Sequence, residues 1–120
     1  MGGMNYRDLI AWQKSMDLVD EIYRLTRQFP PEEKFGLSNQ LRRAAVSIPS
    51  NIAEGQGRQS QAELIRFLQI AHGSLREVET QIMIACRQAY IMPAEEKRTL
   101  EMSAEAGRLI QGLINKLKQR

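Results

Sequence analysis

Between Leu64 and Ala89 the residues Leu64, Leu68, Ala71, Leu75, Val78, Ile82, Ala85 and Ala89 recur at alternating gaps of four and three without interruption. That spacing lines one face of a long helix and is incompatible with a strand, whose side chains change sides at every residue. Ser60, three residues ahead of Glu63, supplies a capping-box start. An amphipathic helix cannot bury its stripe alone, so the rest of the chain has to provide helices to cover it.

Three further stretches meet that need. The first helix is expected from Asn5, capping with Asp8 three residues on, to Phe29 before Pro30-Pro31. Its core row is Leu9, Trp12, Met16, Val19 and Tyr23. A second apolar row beside it, Leu18, Ile22, Leu25 and Phe29, exceeds what one bundle core needs and points to a subunit contact. The second helix carries Leu37, Leu41, Ala44, Ala45, Ile48 and Ile52. Pro49 removes a hydrogen bond to the Ala45 carbonyl, so a kink or short break is expected there. Glu54-Gly55-Gln56-Gly57 should end the helix with a glycine in the left-handed conformation. A fourth helix starts at Pro93, with Glu95 and Glu96 in its first turn. It runs through Met102, Ala106, Leu109, Ile110, Leu113 and Leu117 to Lys116, Lys118 and Arg120. The expected fold is all-α, an up-down-up-down antiparallel four-helix bundle forming one domain over residues 5–120. Residues 1–4, Met-Gly-Gly-Met, read as an added start or a disordered N-terminus.

The 120 residues, 42% apolar and 26% charged, suffice for one domain with its own core. A single cysteine, Cys86, excludes an intrachain disulfide, and neither a signal peptide nor a membrane-spanning run is visible. A cytoplasmic location without membrane contact follows as the expectation. One histidine, His72, cannot build a histidine-rich or histidine-cysteine metal site, and no Glu-x-x-His of a di-iron bundle occurs. His72 reads as a surface or boundary residue and Cys86 as a packed thiol. Glu77 and Glu79, two apart on a helix, diverge and make a poor acid-base pair. Gly55-Gln56-Gly57-Arg58 lacks the spacing of a phosphate loop. The chain is therefore expected to be no enzyme, with no catalytic residue, metal or cofactor.

The arginines are the remaining candidates. The net charge is +3 and the isoelectric point near 9.3, a modest lean towards acidic partners. Arg43, projecting away from the helix-two core, and Arg58 and Arg66, sharing one end of a helical hairpin, are the expected nucleic-acid-binding residues. No aromatics interleave with them to stack bases. Arg42 lies on a mostly uncharged strip with Val46, Pro49 and Ala53. Together with Leu18, Ile22 and Leu25, that strip is the expected oligomer interface.

The stretch Gln40-Leu41-Arg42-Arg43-Ala44-Ala45-Val46-Ser47-Ile48-Pro49-Ser50-Asn51-Ile52-Ala53-Glu54-Gly55 is the most distinctive in the chain. With Arg58, the segment from Phe67 to Glu77 and the opening Leu9-Ile10-Ala11-Trp12-Gln13, it resembles the bundle proteins encoded in intervening sequences of bacterial 23S ribosomal RNA genes. The likeness runs from Tyr6 onward and weakens in helix four. It implies a left-handed four-helix bundle in a ring-shaped homopentamer, without known catalysis. A related basic pentamer, the accessory protein of diversity-generating retroelements, binds nucleic acid and a reverse transcriptase, which favours a nucleic-acid partner by analogy. Two functions are carried forward. One is a homo-oligomer that binds nucleic acid, RNA before DNA, through a basic surface. The alternative is a scaffold for another protein.

Overall fold

The computed structural model describes residues 5–119; the expected leader at 1–4 and Arg120 lie outside the described residues. Four helices carry the chain: α1 Ile10–Thr26, α2 Leu37–Gln56, α3 Gln61–Arg87 and α4 Pro93–Lys118. Single 3-10 turns occupy Tyr6–Asp8 and Pro31–Glu33, and no strand occurs among the described residues. Each helix packs against two others, α1 and α3 both between α2 and α4, around one core in a body of 47 × 24 × 20 Å.

The ends that meet show neighbours running in opposite directions. Arg42 Nε near the start of α2 donates to Thr26 Oγ1 at the end of α1, at 2.8 Å. Past the end of α1, Gln28 Nε2 donates to Glu95 Oε2 in the first turn of α4, at 3.1 Å. The Gln61 amide opening α3 donates to the Leu117 carbonyl at the end of α4.

Helix α3 follows its spacing closely. Leu68, Ala71, Leu75, Val78, Ile82 and Ala85 are all buried, and Ser60 Oγ accepts from Glu63 N at 3.0 Å. Its last expected member differs. Ala89 lies beyond the helix at φ 63, the only non-glycine residue with positive φ among those described. Ala89 N donates to Cys86 O and Tyr90 N to Ala85 O, both at 2.9 Å, the paired bonds of a Schellman ending.

Helix α1 starts later and faces a different way than expected. Asn5 Oδ1 accepts from Arg7 N at 2.9 Å and caps the short 3-10 turn, not α1. Beside Glu21 and Thr26, the buried residues are Ala11, Ser15, Leu18, Ile22, Leu25 and Phe29, so the row assigned to a subunit contact is the core row. Leu18, Ile22 and Leu25 are fully buried within the single chain and present no surface to another subunit. The row Leu9, Trp12 and Val19 is the half-buried flank. Small residues explain the shift: Ala11 and Ser15 let α1 approach its neighbours in its first turns, and Ser15 Oγ returns its hydrogen bond to Ala11 O at 2.7 Å.

Helix α2 runs unbroken through Pro49. Pro49 is buried, so it too is withdrawn from the expected interface. Neither Gly55 nor Gly57 takes positive φ. Gly55 lies inside α2, where an added Cβ would stand 2.7 Å from Phe67 Cβ. Its lack of a side chain permits close packing against α3.

Candidate nucleic-acid interface

The structure brings Arg58 and Arg66 together and leaves Arg43 elsewhere. Arg58 follows α2 and Arg66 stands in the second turn of α3, and their guanidinium carbons lie 4.9 and 4.7 Å from the Phe67 ring centroid. Phe67 thus supports two cations, the stacking arrangement that Arg adopts on aromatic faces. Each cation also has its own carboxylate. Arg58 Nη2 is 2.7 Å from Glu54 Oε2, and Arg66 Nε is 3.2 Å from Glu63 Oε2. The pairs cancel most of the local field that the two arginines would otherwise project.

Arg43 lies about 20 Å further along α2 at 1.5 Å per residue. It is exposed, in a shallow depression between α2 and α3 with Gln40, Ser47, Glu77 and Gln81. Ser47 and Ser74 bridge the two helices through their hydroxyls at 2.9 Å, while the Gln81 Oε1 is buried without a hydrogen-bond partner. Glu77 beside Arg43 makes this depression mixed in sign. Arg42 is engaged inside the chain, its guanidinium 4.7 Å from the Tyr23 ring centroid and its Nε bound to Thr26. Of the expected interface strip, Val46 stays exposed and Ala53 half-exposed.

A second basic surface was not singled out from the sequence. Between α3 and α4 runs a groove of about 520 Å³ lined by His72, Arg76, Glu79, Met83, Leu100, Ala104, Gly107, Arg108 and Gln111. It continues past Gln69, Gly73 and Ile114 to Lys118. Glu79 is turned inwards, accepting from Ser103 Oγ at 2.6 Å and from Arg76 Nη1 at 3.1 Å. A signal for this surface does exist: α4 carries no acidic residue after Glu105, yet Arg108, Lys116 and Lys118 follow.

These elements are those of known relatives. The family model of the 23S rRNA-intervening sequence protein matches residues 7–112. The chain belongs to this family. A crystal structure of a protein of unknown function from the S23 ribosomal protein family of Bacteroides thetaiotaomicron is similar to it. The TM-score is 0.81 and the identity 27%, covering 88% of this chain and 98% of that one. A search of curated proteins finds no match.

In this member of the intervening-sequence family two further titratable groups, Cys86 and Glu21, are held in structural contacts. Cys86 is half-buried, and burial together with Glu96 pushes its thiol up, away from the thiolate a nucleophile or metal ligand needs. Glu21, almost wholly buried, takes two hydrogen bonds from Arg24 at 3.0 and 2.7 Å, with Arg98 3.8 Å away. Among the described residues no cluster of three or more His, Cys, Asp or Glu suited to a metal ion occurs, and no helix is long and apolar enough to cross a membrane. Several apolar side chains stand in solvent, Phe35 at 86% exposure, Met92 at 65% and Ile10 at 57%.

Proposed function

We propose that this chain is the subunit of a non-enzymatic homo-oligomer, a pentameric ring, that binds nucleic acid through a basic surface. The observation that carries the reading is the run after Glu105, where cations accumulate on α4 with no carboxylate among them. Arg58 and Arg66 stand at the end of the bundle where α4 finishes, but each is paired with its own carboxylate and lies outside this surface. The family description and the S23 ribosomal designation of the similar structure both name a ribosomal context, which puts RNA ahead of DNA.

Oligomerisation supports binding in two ways. It covers exposed apolar side chains such as Phe35, Met92 and Val46. It also repeats a subunit charge of +3 around a ring, to about +15 in five copies, enough to attract a polyanion from a distance. The test is fluorescence anisotropy of a labelled oligoribonucleotide against salt, on protein whose mass is measured by light scattering. Affinity should fall on the order of 10²-fold or more between about 50 and 200 mM salt if several phosphates are neutralised. Absence of binding at low salt, or affinity indifferent to salt, refutes the nucleic-acid reading. The scaffold reading, which the exposed Phe35 favours, then stands in its place.

A further inference from the structure

The cations of this chain differ in how free they are. Arg58 and Arg66 each hold a carboxylate of their own, Glu54 and Glu63. Arg108 and Lys118 make no ion pair among the described residues, and they line successive stretches of the groove, ten residues or about 15 Å apart along α4. Across the groove from them is Arg76, 57% exposed. Its Nη1 is held by Glu79, while its Nη2 reaches over Gly107, 3.5 Å from where a Cβ there would stand. Polyanion phosphates need uncommitted donors, which Arg108 and Lys118 offer whole and Arg76 through its Nη2, because a donor already paired must give up its partner before it binds another.

We infer that a single strand of nucleic acid lies along the α3–α4 groove, its phosphates held by Arg76, Arg108 and Lys118. This rests on the nucleic-acid reading above. The floor suits a backbone. Gly73 has open space above it, with nothing within 4 Å of a Cβ position, so phosphates approach the helix closely. His72 and Gln111 line both stretches of the groove and supply hydrogen-bonding groups between the cations. Glu79 is the one carboxylate in the channel, 17% exposed and occupied by Ser103 and Arg76, so it orients Arg76 instead of repelling the strand. Neighbouring helices pack with axes about 8–10 Å apart, a furrow that seats one backbone. No Phe, Tyr or Trp lines it, so binding reads phosphate spacing ahead of bases.

The test compares two charge reversals of equal size on the full chain, Arg108→Glu with Lys118→Glu and Arg58→Glu with Arg66→Glu. Both change the net charge by the same amount, so a diffuse field would weaken them equally. The probe is a fluorescein-labelled oligouridylate of about 20 nucleotides. The groove pair should lose on the order of tenfold or more in affinity at low salt, and its log–log salt slope should flatten by about 2. The end pair should stay within roughly threefold of the parent. Equal losses, or a larger loss at Arg58 and Arg66, overturn the groove while leaving nucleic-acid binding intact. No binding by the parent chain overturns both readings. A duplex of the same length bound as tightly, and equally harmed by the groove pair, overturns the single strand. If thermal melts show a glutamate pair unfolded, the Gln versions of the same four positions give the same ranking.

Discussion

Gly55 marks the closest approach of α2 to α3. A methyl group there would stand 2.7 Å from Phe67 Cβ and 3.1 Å from Leu64 Cδ1, nearer than packed carbon atoms tolerate. Gly55→Ala should therefore lower stability by about 1–3 kcal/mol, the usual cost of forcing packed elements apart, despite the better helix propensity of alanine. Urea unfolding checks it, and an unchanged midpoint would refute the close-packing account. Ala89 poses the opposite problem. It holds the left-handed conformation of the Schellman ending at φ 63, which costs an L residue about 1–2 kcal/mol. Ala89→Gly removes that strain, less the entropy glycine gains when unfolded, and should raise stability by about 0.5–1 kcal/mol. A rise of a few degrees in the thermal midpoint is the expected readout.

Among the elements, α1 and α4 bury faces that open with small or polar residues. In α1 the buried face opens with Ala11 and Ser15, and in α4 it opens with Thr99 and Ser103. Such residues add little to an apolar stripe, yet they bury well because their hydroxyls find partners, Thr99 Oγ1 donating to Glu95 O at 2.8 Å. The connections between helices are held by carboxylates that act as caps. The Leu37 backbone N–H and the Tyr90 hydroxyl hold Glu33 below the usual carboxylate range. The Met92 backbone N–H and Gln28 do the same for Glu95, and the Arg24 guanidinium does so for Glu21. Tyr90 is pushed up by its bond to Glu33. Depressed folded values stabilise fully above the unfolded carboxylate value of about 4.3 and lose that stabilisation as pH falls through the folded ones. The raised tyrosine stabilises below about 10 and loses that contribution as pH rises through its folded value. Urea midpoints should hence fall on both the acid and the alkaline side. Glu33→Gln should flatten the alkaline limb and part of the acid one together. An alkaline limb that survives this change would show that the Glu33–Tyr90 bond, 2.8 Å long, does not carry it.

At the scale of the whole molecule, the proposed ring places an apolar strip of α2 between subunits. With Pro49 in the core and Arg42 tied to Thr26 and Tyr23, Val46 is the member of that strip best placed to test it, being exposed. Val46→Glu should reduce the assembly mass in light scattering while changing subunit unfolding by no more than about 0.5 kcal/mol, as for other exposed positions. A full-mass assembly would remove Val46 from the contact. Much of the architecture was legible beforehand: four helices, their order and the interior of α3 follow from apolar spacing, which is local and survives without knowledge of neighbours. Family membership was legible too, from the segment Gln40 to Gly55. The candidate surface was legible only in part, since Arg58 and Arg66 do converge on Phe67, but nothing in the spacing showed them already paired. The sequence by itself determined how many helices form and which stripe α3 buries, because a heptad pattern closes on its own helix. Only the tertiary structure decided which of two adjacent apolar rows α1 turns inward, which arginines keep a free charge, and that α3 and α4 leave a basic groove between them. Those outcomes depend on the rotation of each helix against the next, and that rotation is set by small residues such as Ala11, Ser15 and Gly55 whose effect exists only once two helices touch.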